Sequence, residues 1–172
     1  MTTRLQLEIS GPFEVSCEKA TRGSSRRIEA GNVKEFWETG AGHYSTKQGC
    51  YIFALKAGRG YTPWYVGKTK RQSLRDECFG QFQLGKYNKA LFNHRGKPVI
   101  FFVAPAGNKN VAPREVVVEL EHYLIQQGYY ENKGILNKAN AKEPRWGIKG
   151  VLRSGRGKPD STAGAFAKMM GI

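Results

Sequence analysis

The sequence predicts an α+β fold in which a small central antiparallel sheet of three strands is flanked by helices, in the order β-β-α-β-α. Three observations predict it. Two short apolar runs, CYIFAL from Cys50 and WYVGK from Trp64, are separated by the turn-rich KAGRGYTP. A third run, PVIFFVAP from Pro98, is apolar throughout and reads as a central strand. The segment REVVVELEHYLIQQ, from Arg114, carries apolar residues at helical spacing.

Taken in order, RLQLEIS and FEVSC alternate apolar and polar residues on either side of Gly11-Pro12, which predicts an N-terminal β-hairpin. TRGSSRRIEAGN reads as a loop. NVKEFWETG reads as a short amphipathic helix with Asn32 as N-cap and Val33, Phe36 and Trp37 on its inner face. The two apolar runs then form an antiparallel hairpin. Thr69 with Gln72 has the form of a capping box, so a helix is expected through KRQSLRDECFGQF. GKYNKALFNHRGKP is a basic connection, Pro113 opens the long helix and Gly128 ends it. The hairpin through Lys138 forms the core, residues 48–138. Residues 1–47 are an N-terminal extension of hairpin and short helix. Residues 139–172 are a basic C-terminal extension in which RSGRGKPDSTAG is a linker by composition.

The chain has 172 residues, with 28 Lys plus Arg against 14 Asp plus Glu, a net charge of +14. That excess points to a polyanionic partner, nucleic acid before anionic membrane. The longest apolar run, VIFFVA, is too short to span a bilayer, and MTTRLQLEIS lacks the apolar core of a signal peptide, so a soluble cytoplasmic protein is expected. The three cysteines, Cys17, Cys50 and Cys78, read as buried thiols in a reducing compartment, and the scattered His43, His94 and His122 do not suggest a zinc site.

On the long helix Glu115, Glu119, His122 and Gln126 share a polar face, while Glu121 falls among Val117, Leu120 and Leu124. A carboxylate there needs a cation or a metal. Arg75 flanks the buried face carrying Leu74 and Cys78. In the first hairpin strand Tyr51, Phe53 and Leu55 point one way and Cys50, Ile52 and Ala54 the other; in the second, Tyr65 and Gly67 share a side. Gly67-Lys68-Thr69 does not make a phosphate-binding loop, because that motif requires glycine where Thr62 stands.

Together these residues resemble the GIY-YIG nuclease family. Gly49-Cys50-Tyr51 stands in the place of the first motif and Tyr65-Val66-Gly67 in that of the second. Lys68 follows the second, Arg75 matches the helix arginine, Glu121 the metal-binding glutamate and Asn137 the asparagine closing the core. The resemblance implies a metal-dependent endonuclease that hydrolyses DNA, with RNA not excluded. It assigns Glu121 to one Mg²⁺ (or Mn²⁺) and Arg75 to the phosphate oxygens. Tyr51 would be the general base, helped by Lys68 and the metal to lower its pKa, with Tyr65 orienting the water or phosphate; the reverse assignment of the tyrosines stays open. Asn137 would order the site. Cys50 replaces the usual branched residue. Phe79 stands where many members carry His or Tyr, and it neither takes a proton nor donates a hydrogen bond. That departure supports the alternative of a non-catalytic nucleic-acid-binding module on the same scaffold. Substrate grip is expected from Lys86, Lys89, Arg95 and Lys97, and beyond the core from Arg145, Trp146, Lys149, Arg153, Arg156 and Lys158.

Overall fold

The computed structural model describes residues 5–19, 25–138, 141, 148–151 and 160–171. The chain divides into two compact units, Met1–Ala141 and Lys142–Ile172. The first is α+β, as expected, but its sheet has four strands rather than three, β1 (Leu7–Glu14), β4 (Cys50–Ala57), β5 (Gly60–Lys68) and β6 (Lys97–Pro105). They lie in the order β1-β6-β4-β5, each neighbouring pair antiparallel. The apolar β6 is central, as its sequence predicts.

The fourth strand corrects the N-terminal reading. The two alternating runs do not fold into a hairpin at Gly11-Pro12; they form one strand, β1, with a register shift between Ser10 and Phe13, along the edge of β6. Gly11 takes a φ of +111°, and a Cβ there would lie 2.7 Å from the Ile100 carbonyl oxygen. The residues that suggest a turn supply a bulge instead: Gly11 takes the positive φ, and Pro12 has no N–H to pair. Two-residue strands β2 (Glu18–Lys19) and β3 (Arg26–Arg27) pair with each other within what reads as loop.

Helix α1 (Ala30–Thr39) starts three residues earlier than expected. Glu29 is its N-cap, and the Asn32 side chain accepts a 2.8 Å hydrogen bond from the Glu29 N–H. Thr69 caps no helix: it closes the motif hairpin, donating its N–H to the Gly49 carbonyl (2.9 Å) and accepting from the Gly49 N–H at Oγ1 (3.0 Å). Ser73 takes the cap, its hydroxyl accepting from the Asp76 N–H, and the helix that follows is split. It gives α2 (Leu74–Cys78) and α3 (Gln81–Asn93), broken at Phe79-Gly80. The expected basic connection is therefore mostly helix α3.

Helix α4 (Arg114–Glu131) runs three residues past Gly128. That glycine is a contact point, because a Cβ on it would meet Ile135 Cδ1 at 2.8 Å and Val66 at 3.8 Å. Tyr51, Phe53, Leu55, Tyr65, Ile100 and Phe102 bury one face of the sheet beneath α1, α2 and α3. Cys50, Val66 and Val103 bury the other beneath Val117 and Ile125 of α4. In the second unit, α5 (Ser161–Met170) begins inside the expected linker, with the Asp160 carboxylate accepting from the Ala163 N–H at 2.7 Å.

Candidate functional site

The register of the hairpin explains why each motif pairs a tyrosine with a glycine. Tyr51 sits directly opposite Gly67. A Cβ on Gly67 would lie 2.3 Å from Tyr51 Cζ and 2.5 Å from its hydroxyl oxygen, so the ring occupies the space a side chain would fill. Gly49 is equally constrained, its absent Cβ falling 2.2 Å from the Val103 carbonyl oxygen of β6. Both glycines are sites of close approach.

Tyr51 and Tyr65 share a face because the register sets Tyr51 opposite Gly67, with ring centroids 6.3 Å apart and planes 28° from parallel. Tyr51 is 1 % exposed, and its hydroxyl donates a long 3.4 Å bond to the Glu77 carbonyl of α2. Burial, followed by the neighbouring Cys78 and Tyr65, pushes the Tyr51 phenol well above its ordinary range. The Lys68 ammonium, expected to help lower this pKa together with a metal, is bound to Glu121. In a buried, largely apolar setting the phenolate loses its hydration. Tyr65 is less deeply placed; burial, then the charge of Glu121, raises it to about 12.

Glu121 lies on the other face. Cys50, which pairs with Lys68 in the register, is covered by Val117 of α4, and its thiol donates to the Val117 carbonyl at 3.6 Å. One turn after Val117, Glu121 is 9 % exposed and takes the partner its position demands: its Oε2 accepts a charge-assisted bond from Lys68 Nζ. The Lys68 side chain is 24 % exposed and that of Glu121 11 %, so the pair sits at the margin of the core with one side toward water. The same carboxylate contributes to raising Cys50 to about 12, behind the larger effect of burial.

Asn137 acts on backbone. Its side-chain amide accepts from the Val66 N–H at 3.1 Å and donates to the Val66 carbonyl, a strand-like pair of hydrogen bonds along the outer edge of β5. The Leu136 N–H adds a 2.8 Å bond to the Trp64 carbonyl. Arg75 is exposed on α2 and makes no ion pair among the described residues. Phe79 belongs to the core at 8 % exposure, edge-on to Phe36 at 5.0 Å and to Tyr87 at 5.9 Å.

Of the residues expected to grip substrate, Lys86 lies half-buried on α3 with its ammonium 5.0 Å from the Phe82 ring, and Lys89 is exposed on the same helix. Arg95 is exposed, and Lys97 pairs with Glu14 at 3.2 Å. Lys149, in the second unit, lines a cavity of about 290 Å³ with Asp160 and Phe166. Arg145, Trp146, Arg153, Arg156 and Lys158 lie outside the described residues.

Sequence reasoning missed Lys47. It is 2 % exposed, and its ammonium donates to the carbonyls of Pro105 and Gly107, both at 2.7 Å. Glu8 of β1 stands 3.5 Å away. A lysine in a polar segment carries no sign of such burial.

No group of three or more His, Cys, Asp or Glu side chains gathers among the described residues. Glu121 is therefore the donor set at the motif hairpin: one hard carboxylate, Oε2 held by Lys68 and Oε1 without a hydrogen bond from any described residue. That fits a Mg²⁺-like ion, which binds through one or two carboxylates and retains water, and does not fit a softer metal requiring several protein ligands. No described helix is long and apolar enough to cross a membrane. Compared with family models, curated proteins and solved structures, the chain matches none.

Proposed function

We propose that the protein is a metal-dependent nuclease acting on phosphodiester bonds, DNA first among its substrates. The observation that carries this reading is the Glu121 carboxylate. It is nine-tenths buried, set by α4 against the hairpin that bears both tyrosine motifs, held by Lys68, and close enough in electrostatic effect to raise Tyr65. Burying a carboxylate costs several kcal/mol unless it is paired, on the order of the loss seen when one partner of a buried pair is removed. A lysine-carboxylate pair at the margin of the core keeps that acid in place and ready to exchange its ammonium for a metal ion.

Glu121 would hold a Mg²⁺ or Mn²⁺ ion, which supplies charge neutralisation at the scissile phosphate. The chain's own groups do the rest. Arg75, exposed on α2, offers a planar fork to the non-bridging oxygens. Lys68, released from Glu121, adds a second positive charge. Tyr65, protonated at neutral pH, donates a hydrogen bond to the phosphate or the attacking water, and Tyr51 anchors the hairpin beneath it. The base is then not a phenolate at rest.

The test is nicking of supercoiled plasmid with Mg²⁺ or Mn²⁺, with EDTA as control. Wild type is expected to nick and Glu121→Ala and Arg75→Ala to be inactive while folded; folded variants cutting at the wild-type rate would sink the assignment. One observation favours a second reading. Tyr51 is sealed in the core on the face opposite Glu121, and Phe79 belongs to the same apolar cluster, as a binding module without cleavage would allow. That reading predicts metal-independent nucleic-acid binding and no nicking with either ion.

A further inference from the structure

A cavity of about 500 Å³ opens at the end of the motif hairpin, lined by Lys70, Arg71, Gln72, Glu77 and Arg114. Its walls come from the segment leaving β5, from α2 and from the first residue of α4. It holds three cations and one carboxylate, and none of those cations is paired with an acid among the described residues. Like charges drawn together repel, so a cleft of this kind is stable only where the backbone fixes its walls or an anion enters it.

The backbone does fix them. Gln48 bridges the two sides: its side-chain amide donates to the Arg71 carbonyl at 3.2 Å, and its N–H donates to the Asn110 carbonyl at 2.7 Å, four residues before Arg114. The neighbouring Lys47 carbonyl accepts from the Leu74 N–H at 2.8 Å and Ser45 accepts from Arg75, pinning the start of α2. The buried Lys47 ammonium gathers the carbonyls of the loop that leads into α4. Segment 45–48 is thus a clasp that holds Arg71, α2 and the approach to Arg114 in one arrangement before any ligand arrives.

We infer that this cleft binds backbone phosphates of a nucleic-acid strand, with Arg71 and Arg114 as the phosphate ligands from opposite walls, Lys70 reinforcing them and Glu77 limiting the affinity. Guanidinium pairs suit phosphate oxygens through two parallel N–H bonds. The volume falls within the usual range for a small-molecule site, roughly 300–1,000 Å³, so a phosphate can enter with its sugar. The inference rests on the nucleic-acid reading above for the identity of the anion, not on cleavage.

The experiment is binding of a 20-base-pair DNA duplex in EDTA at a series of salt concentrations, which removes cleavage from the readout. Arg71→Ala/Arg114→Ala is expected to weaken binding and to reduce the steepness of log K against log salt by about 1.8, two contacts at about 0.9 each. Glu77→Gln is expected to tighten binding, an outcome that damage to the fold would not produce. Lys34→Ala/Arg59→Ala, removing two exposed charges elsewhere, is expected to leave the slope near wild type. An unchanged slope in the cleft variant, an equal fall in the control, or loss of binding to anionic phosphatidylserine vesicles with duplex binding intact would each overturn the inference. A protein that never nicks plasmid yet shows the expected slopes would end the nuclease reading and keep this one; nicking with an unchanged slope would do the reverse.

Discussion

Gly67 and Tyr51 act as one unit across the hairpin. The ring covers the glycine because nothing projects from Gly67, and the glycine carries no side chain because the ring is there. Gly67→Ala should therefore cost about 1–3 kcal/mol, the usual penalty for forcing an extra methyl into a filled core. In a Tyr51→Ala background the methyl would enter vacated space, so the two costs should not add. Urea melts of the two single variants and the double variant measure this, and a coupling energy of about 1 kcal/mol or more is expected for residues in such contact. Tyr51→Phe removes a hydroxyl that donates to the Glu77 carbonyl at 3.4 Å and interacts with Gln83, and should cost about 0.5–1.5 kcal/mol in the same melts. Lys68 acts through charge rather than packing. Lys68→Met leaves the Glu121 carboxylate without its partner at 11 % side-chain exposure, and should destabilise by about 1–3 kcal/mol, less than for a fully buried pair because one side meets water. Added Mg²⁺ should restore part of that loss if Glu121 takes a metal, by mass action on the folded state.

At the scale of elements, the outer edge of β5 depends on one side chain. Asn137→Ala removes both bonds to Val66 and leaves a half-buried N–H and carbonyl without their partner, at a cost of about 1–3 kcal/mol. Hydrogen exchange should locate the damage, with the Val66 amide exchanging much faster and the Ile100 amide of the central strand little changed. This element was only partly legible in the sequence. Asn137 could be expected to order the hairpin, yet nothing local says that an amide substitutes for a fifth strand. The hairpin and its two faces were legible because alternation and turn residues are local, and Tyr51, Phe53 and Leu55 do lie together. Which face α4 covers was not, since that follows from how the chain crosses the whole sheet. The capping error has a similar origin. Thr69-Gln72 and Ser73-Asp76 both fit a capping pattern, but Thr69 is already engaged with Gly49 across the hairpin mouth, a contact of long sequence separation. Ser73→Ala should accordingly cost about 1 kcal/mol through the lost cap. Gly11-Pro12 and Gly128 mislead for one reason: glycine marks both a turn and a close approach, and only the packed neighbours, Ile100 and Ile135, distinguish them.

For the molecule as a whole, three phenols fold in the protonated state. Burial raises Tyr65 to about 12 and pushes Tyr51 and Tyr87 well above the ordinary value of 10.0. A group whose pKa is higher in the folded chain than in the unfolded chain binds the proton more tightly when folded. Its contribution is complete below pH 10 and declines as the pH rises through the folded value, because only the unfolded chain releases the proton cheaply. Stability should therefore be flat near neutrality with respect to these groups and fall steeply from pH 10 toward 12. Tyr65 packs between the other two, its ring centroid 5.9 Å from that of Tyr87 and 6.3 Å from that of Tyr51, so its ionisation would place a charge beside both. Loss of the fold should then be cooperative rather than a series of separate titrations. Absorbance at 295 nm against pH checks this. Absorbance should rise in two steps, and the second, from Tyr51, Tyr65 and Tyr87, should coincide with the collapse of the far-UV circular dichroism. Replacing Tyr65 with Phe should remove one proton from that second step and move the collapse to higher pH, whereas ionisation of Tyr51, Tyr65 and Tyr87 near pH 10 in a still-folded protein would contradict the packing of the motif hairpin itself.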